Sequence, residues 1–117
     1  MDLEVAMVLP EEGSLLRIFI GESDHHDGRP LYEWLVHKAR EMEVAGATVL
    51  RGLMGYGLSS RIHTAKILRL SQDLPIVVEL VDTREKLETY LEHVGPAIRE
   101  GLATLERAEV RFYRAGE

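Results

Sequence analysis

Alternation between apolar and polar positions predicts four β-strands in this chain. The clearest runs are LLRIFIGE and PIVVELV. In each run the residues at every second position, which share one face of the strand, are apolar. The strands are predicted over about 15–21, 47–54, 75–81 and 102–114, the last with a bulge near Arg107–Ala108.

Apolar residues spaced by three and four positions predict two helices. The first covers about 30–44, and Gly46 is placed to end it. The second runs to about residue 94, and its first turn can be capped by Asp82, which has the capping-box spacing to Glu85, or by Thr83.

The resulting element order, β-α-β-β-α-β, predicts an α+β fold of the ferredoxin-like type, a four-stranded antiparallel sheet with two helices on one face. The first and third strands are neighbours in this arrangement. Arg17 and Glu79 then both point away from the helices and could pair across the strands.

The sheet face away from the helices is also partly apolar, since Leu15, Phe19, Val77 and Val81 fall on it. Strands that are apolar on both faces are usually covered on both. A second copy of the chain is the expected cover, which predicts a homo-oligomer. The alternative is that residues 1–14 fold back over this face.

Composition sets the broad class. The chain has 117 residues, which predicts one domain over 15–117 after a lead-in of residues 1–14. The absence of cysteine excludes thiol catalysis, thiolate-ligated zinc and disulfides, and it agrees with a cytoplasmic protein. No apolar run approaches the roughly 18–20 residues of a membrane span. The formal net charge of −6 argues against nucleic-acid binding.

One stretch departs from this acidic balance. The segment Arg51–Gln72 contains no Asp or Glu, and a basic segment of this kind suits an anion or an acidic surface on a partner protein. An amphipathic helix packed on the body is the alternative. The residues expected to face a partner are Arg61, His63, Lys66 and Arg69.

The start of this segment is rich in glycine. Gly55, Tyr56 and Gly57 follow the second strand, and glycine lets the backbone approach a ligand so that its N–H groups can hold phosphate oxygens. A flexible turn is the alternative. Arg99 and Arg114 lie after the second helix and at the end of the last strand, where they are either phosphate ligands or surface charges.

Residues with enzyme-like or metal-binding chemistry are few. No serine lies in a nucleophile-elbow motif, and no carboxylate pair is placed for acid–base catalysis. His25, His26 and Asp27 are weak candidates for a metal site, to which His63 or His93 could add a ligand. A polar turn is the alternative for these residues.

The chain resembles a PII-like family, domain of unknown function 190. The resemblance rests on the combination of IGE, PLYEWLVHKARE, AGATVLRG and DLPIVVELVD, and it extends from about Leu15 to Tyr113. This family is similar in turn to the nitrogen-regulatory PII signalling proteins, which are trimers of ferredoxin-like subunits that bind adenine nucleotides in clefts between subunits.

The resemblance implies roles for several residues. Residues 56–73 would be the counterpart of the PII T-loop, and the Gly55–Gly57 turn matches the turn beside the nucleotide. GPAIREG, which includes Arg99 and Gly101, corresponds to the phosphate-binding B-loop, although it is shorter and lacks tandem glycines. Arg114 matches a nucleotide-contacting arginine of the last strand.

These features together predict a PII-like homotrimer that acts as a sensor or adaptor and not as an enzyme. An adenine nucleotide would bind between subunits, and residues 56–73 would meet a partner such as a membrane transporter. A metal-binding trimer resembling the divalent-cation tolerance proteins is the alternative. An acylphosphatase-like enzyme ranks last because the chain has no Asn. The residues expected at the ligand site are Gly55, Tyr56, Gly57, Arg99, Gly101 and Arg114.

Overall fold

The computed structural model describes residues 12–57, 63–64 and 73–116. Four strands form the main sheet, in the order β4-β7-β1-β8 with every neighbouring pair antiparallel. The elements are β1 (Glu12–Gly21), β2 (His25–His26), β3 (Arg29–Pro30), α1 (Leu31–Glu41), β4 (Gly46–Arg51), β5 (Met54–Gly55), β6 (His63–Thr64), β7 (Pro75–Asp82), α2 (Arg84–Val94), a 3₁₀ turn (Gly95–Ala97) and β8 (Leu102–Glu109).

The core lies between the helices and one face of the sheet. Alternate residues of the two central strands, such as Ile18 and Val78, are fully buried there, because successive side chains of a strand point to opposite faces of the sheet. Leu35 of α1 and Tyr90 of α2 close the core from the helix side. The Tyr90 hydroxyl donates a 2.7 Å hydrogen bond to the Leu35 carbonyl, which joins the two helices. Burial raises the pKa of Tyr90.

The predicted ferredoxin-like arrangement is confirmed. β1 and β7 are neighbours, and Arg17 pairs directly with Glu79 in their register. The Arg17 Nε lies 3.0 Å from the Glu79 Oε2, as expected from the strand order, and a second carboxylate, that of Glu106, lies 3.5 Å from Arg17.

The first helix ends earlier than predicted. It stops at Glu41, and the following turn has the hydrogen bonds of a Schellman motif, from Glu43 N–H to the Arg40 carbonyl and from Val44 N–H to the Ala39 carbonyl. Glu43 takes the left-handed conformation (φ 60°) that glycine normally supplies. The prediction that Gly46 ends the helix is therefore wrong.

The start of α2 follows one of the two predicted alternatives. Thr83 is the N-cap, and its hydroxyl oxygen accepts from the Lys86 N–H at 3.2 Å. The Asp82 carboxylate instead accepts from the N–H groups of Thr83 and Ala45, at 2.6 and 2.8 Å. Asp82 thus holds the connection between α1 and β4 against the end of β7.

The outer limits of the sheet differ from the prediction. β1 begins at Glu12, inside the predicted lead-in, and β8 ends at Glu109 instead of residue 114. The pairing of β1 with β8 continues without a bulge through Arg107 and Ala108. Beyond Glu109 the chain crosses the end of the sheet, and Tyr113 donates a 2.7 Å hydrogen bond to the Ala45 carbonyl beside the opposite edge strand.

Candidate functional site

A tight turn follows the edge strand β4. The Gly52 N–H donates to the Pro75 carbonyl at 2.7 Å, so the chain stays against the start of β7 after β4 has ended. A β-carbon at Gly52 would lie 2.9 Å from the Pro75 Cγ, and one at Gly55 would lie 3.2 Å from the same atom. The lack of side chains therefore permits this close packing. A β-carbon at Gly57, in contrast, would have no described residue within 4 Å.

The predicted loop is divided by a short pair of strands. β5 and β6 are antiparallel, with Met54 opposite Thr64 and Gly55 opposite His63. The predicted strand 47–54 thus ends at Arg51, and its last residue belongs to a separate hairpin. The large side chains next to these glycines face solvent, and the exposed fraction of Leu53 is 80% and of Tyr56 71%.

Both ends of the acid-free segment are fastened to the chain that follows β1. Arg51 pairs with Glu22 at 3.4 Å. At the far end, the Asp73 carboxylate accepts from the backbone N–H and the hydroxyl of Ser23, at 2.9 and 2.8 Å. A β-carbon at Gly21 would lie 2.7 Å from the same carboxylate oxygen. The connection after β1 therefore anchors the segment on both sides.

Arg99 and Gly101 lie at the same end of the sheet but beside β1 and β8. A β-carbon at Gly101 would come within 2.7 Å of the Phe19 carbonyl oxygen, so packing alone requires glycine here. Arg99 is exposed. β4 and β8 are the two edge strands and are three interstrand spacings apart. At about 4.8 Å for each spacing, Arg99 and Gly101 lie roughly 14 Å from the end of β4.

Arg114 lies at the opposite end of the sheet from these residues. The neighbouring Tyr113 is bonded to Ala45, which precedes β4, whereas Gly55 follows β4. The guanidinium carbon of Arg114 lies 4.4 Å from the centre of the Phe112 ring. Within one chain the predicted ligand residues therefore form three separate groups: Gly55–Gly57, Arg99 with Gly101, and Arg114.

The sheet face away from the helices carries an apolar row across all four strands. The strand registers place Leu50, Val77, Phe19 and Leu102 side by side in that order. The two edge residues are the most open, with exposed fractions of 47% for Leu50 and 59% for Leu102. The neighbouring row contains the Arg17–Glu79 ion pair.

The histidine candidates lie in a small hairpin before α1. β2 and β3 are joined by Asp27 (φ 55°) and Gly28 (φ 77°). The His25 ring is 2.6 Å from the Ser23 carbonyl, and the His26 ring meets Trp34 edge-on at 4.4 Å. Among residues 12–57 and 73–116, no three His, Asp or Glu side chains are grouped to hold a metal ion.

Most of the predicted partner-facing side chains lie outside the described residues. These are Arg61, Lys66 and Arg69, while His63 is described only by its backbone pairing in β6. In the part of the chain that is described, no helix is long and apolar enough to cross a membrane.

Some residues of this region were not predicted from the sequence. The contact of Asp73 with Ser23 has no local signal, because fifty positions separate the two residues. The contact between Phe112 and Arg114 has a weak local signal, since two aromatic residues stand between arginines in RFYR. The predicted strand 102–114 includes this motif and makes Phe112 a sheet residue, whereas β8 ends at Glu109.

Comparison with known sequences identifies the family. The profile of DUF190, described as an uncharacterized ACR, matches residues 13–110. The chain belongs to the DUF190 family. A UPF0166 protein from Aquifex aeolicus is 42% identical over 98 residues, which are 84% of this chain and 92% of that protein.

Solved structures show that this DUF190 chain has a PII-like fold. CPII from Thiomonas intermedia K12, described as a nitrogen regulatory PII-like protein bound to ADP, AMP and bicarbonate, superposes with a TM-score of 0.64 at 18% identity, covering 85% of this chain and 88% of CPII. CutA1 from Oryza sativa reaches a TM-score of 0.56 at 11% identity, with 91% and 84% covered. At these identities the likeness concerns the fold.

Proposed function

We propose that this chain is a cytoplasmic PII-like signalling or adaptor protein. It forms a homotrimer, binds an adenine nucleotide in clefts between subunits and regulates a partner protein through residues 56–73. It catalyses no reaction. The observation that carries the proposal is the shared fold with CPII, whose solved structure holds ADP and AMP.

The open sheet face supports the assembly. Leu50 and Leu102 are large apolar residues at the two edges of one row, and both are about half exposed in the single chain. Covering this row with other copies removes its apolar surface from water, which stabilises an assembly by about 25 cal/mol for each Å² buried. Because the row reaches both edges of the sheet, each copy can meet one neighbour on either side in a closed ring.

The positions of the ligand candidates support a site between copies. Gly55 and Arg114 lie at opposite ends of the sheet, and β4 alone has six residues, or about 20 Å of strand. One nucleotide therefore cannot touch both in the same copy. In a ring of copies, the Gly55–Gly57 turn of one subunit can complete a site with Arg99, Gly101 or Arg114 of the next.

The anchoring of residues 56–73 supports a regulatory role. The segment leaves the sheet directly at the proposed phosphate-binding turn and returns at Asp73, which is bonded to Ser23. A ligand at the turn would alter the backbone at one anchor and so bias the order of the segment. Residues 56–72 contain no Asp or Glu, which suits an acidic partner surface, such as the cytoplasmic side of a membrane transporter.

Isothermal titration with ATP, ADP, AMP and cyclic nucleotides tests the proposal. The folded trimer is expected to bind at least one adenine nucleotide. Gly57→Ala, whose β-carbon meets none of the described residues, is expected to weaken binding without loss of stability. If a well-folded trimer binds none of these nucleotides, the nucleotide proposal is wrong. If the protein is a monomer, the inference from the apolar row fails as well.

A further inference from the structure

The segment after β8 carries an aromatic ring that packing within the chain does not explain. Phe112 has an exposed fraction of 70%, which is high for a large apolar side chain. The Arg114 guanidinium carbon lies over this ring at 4.4 Å from its centre. The cation therefore covers one side of the ring, and the high exposure leaves the other side open to solvent.

This ring sits on a segment that is held in place. Val110 packs beside Gly13, where a β-carbon would lie 3.1 Å from its Cγ2. Tyr113 donates to the Ala45 carbonyl at 2.7 Å, and the N–H of Ala45 is held in turn by Asp82 at 2.8 Å. Asp82 is almost fully buried, with an exposed fraction of 7%. Phe112 is thus tied to the sheet through its neighbour Tyr113.

Arg114 differs from the other arginines near the end of the chain. Arg107 pairs with Glu12 at 2.9 Å and Arg111 with Glu109 at 3.6 Å. Within residues 12–57 and 73–116, Arg114 has no carboxylate within ion-pair distance, and its contact there is the Phe112 ring. Its N–H groups are therefore available for an anion.

An aromatic face beside an unpaired guanidinium matches the two parts of a nucleotide. Bases stack on aromatic side chains irrespective of their hydrogen-bonding edges, and arginine binds phosphate oxygens through two parallel N–H groups. We infer that Phe112 and Arg114 form a nucleobase-stacking subsite, in which the base packs on the open face of Phe112 and Arg114 binds the phosphate. This inference rests on the proposed function and adds the residue that recognises the base.

Titration of variants with ADP and with inorganic pyrophosphate tests the subsite. Phe112→Ala is expected to weaken ADP binding about 5- to 150-fold, the range for loss of one stacked base, and to leave pyrophosphate binding unchanged. Phe112→Trp is expected to restore ADP binding. Arg114→Ala is expected to weaken both ligands, whereas the control Arg111→Ala, already paired with Glu109, changes neither.

The outcomes separate this inference from the proposed function. If the wild type binds ADP and Phe112→Ala binds it equally well, the stacking subsite is wrong and the proposed function stands. If Phe112→Ala weakens ADP and pyrophosphate equally, the ring supports the segment and does not stack on the base, which also overturns the inference. If the wild type binds no adenine nucleotide, the proposed function fails and the subsite fails with it.

Discussion

Arg17 and Glu79 face each other across the two central strands, with the arginine Nε 3.0 Å from the carboxylate Oε2. Their side chains are about one third exposed, at 34% and 29%, on the sheet face away from α1 and α2. Glu106 adds a second carboxylate at 3.5 Å. An ion pair beside an uncovered apolar row is the arrangement expected of a surface that meets another copy of the chain, since such surfaces combine apolar area with charged groups that fix register.

Leu102→Asp is expected to prevent assembly. The residue stands at the edge of the apolar row and is 59% exposed, so the single chain tolerates the change while an interface would bury an unpaired charge. Light scattering should give a mass near 13.2 kDa for the variant, against about three times that value for the wild type. Thr89→Asp, on the exposed side of α2, is the control and should leave the mass unchanged. An unchanged mass for Leu102→Asp would show that this row is not an interface.

Gly101→Ala is expected to destabilise the fold by about 1–3 kcal/mol, because its β-carbon would overlap the Phe19 carbonyl oxygen at 2.7 Å. Gly57→Ala places a β-carbon within 4 Å of no atom of residues 12–57 and 73–116 and should leave the free energy of unfolding within about 0.5 kcal/mol of the wild type. Urea denaturation of both variants measures the difference. Equal free energies of unfolding would mean that packing does not require glycine at position 101. The proposed ligand role would then be the reason for glycine there.

Glu43→Gly is expected to stabilise the protein by about 0.5–1 kcal/mol. The residue has φ 60°, a conformation that costs an L-residue about 1–2 kcal/mol and glycine almost nothing, less the entropy that glycine loses on folding. Arg40→Gly, in the last turn of the helix, should instead destabilise by about 1 kcal/mol. Thermal or urea unfolding checks the opposite signs, and a loss of stability in Glu43→Gly would contradict the Schellman turn.

The buried phenol of Tyr90 is expected to make the protein less stable at high pH. Burial raises its pKa above the ordinary 10.0, so the phenol stays neutral in the folded protein while the unfolded chain releases the proton. The contribution of Tyr90 to the free energy of unfolding is complete below pH 10. It falls by about 1.4 kcal/mol for each pH unit as pH rises above 10. Urea unfolding between pH 8 and pH 12 measures the slope.

Tyr90→Phe is the matched variant for that experiment. It lacks the hydrogen bond to the Leu35 carbonyl and should lose about 1 kcal/mol at neutral pH. It should also lose the part of the alkaline slope that one phenol supplies. A wild type and a variant with the same slope would mean that Tyr90 titrates alike in both states of the protein.

The sequence predicted those parts of the fold that depend on periodicity. Apolar residues at every second position place Ile18 and Val78 in the core, and the element order makes the strands of Arg17 and Glu79 neighbours. The ends of elements were less predictable, because they depend on contacts between distant residues. Glu43 ends α1 in a conformation that its residue type does not indicate, and the end of β8 depends on Tyr113 reaching Ala45, 68 positions away.

The candidate site likewise contains features that could be predicted from the sequence and features that could not. The glycine turn was predictable because a tight turn restricts residue type locally, and the structure gives its reason in the packing of Gly52 and Gly55 on Pro75. Arg99 and Arg114 lie before and after β8 and are therefore separated within one chain. Strand patterns do not say which residues of a second copy would complete the proposed site. The Phe112–Arg114 contact lies where the chain leaves the sheet, and a strand pattern cannot indicate that point.

Native mass spectrometry of the protein with added ADP tests the central claim most directly, because it reports assembly and ligand binding together. We predict a trimer of about three times 13.2 kDa that carries up to three ADP molecules, with ADP absent from any residual monomer because the proposed site is formed by residues of two chains. A monomer, or a trimer that remains free of nucleotide at every ADP, AMP and ATP concentration tried, would contradict it.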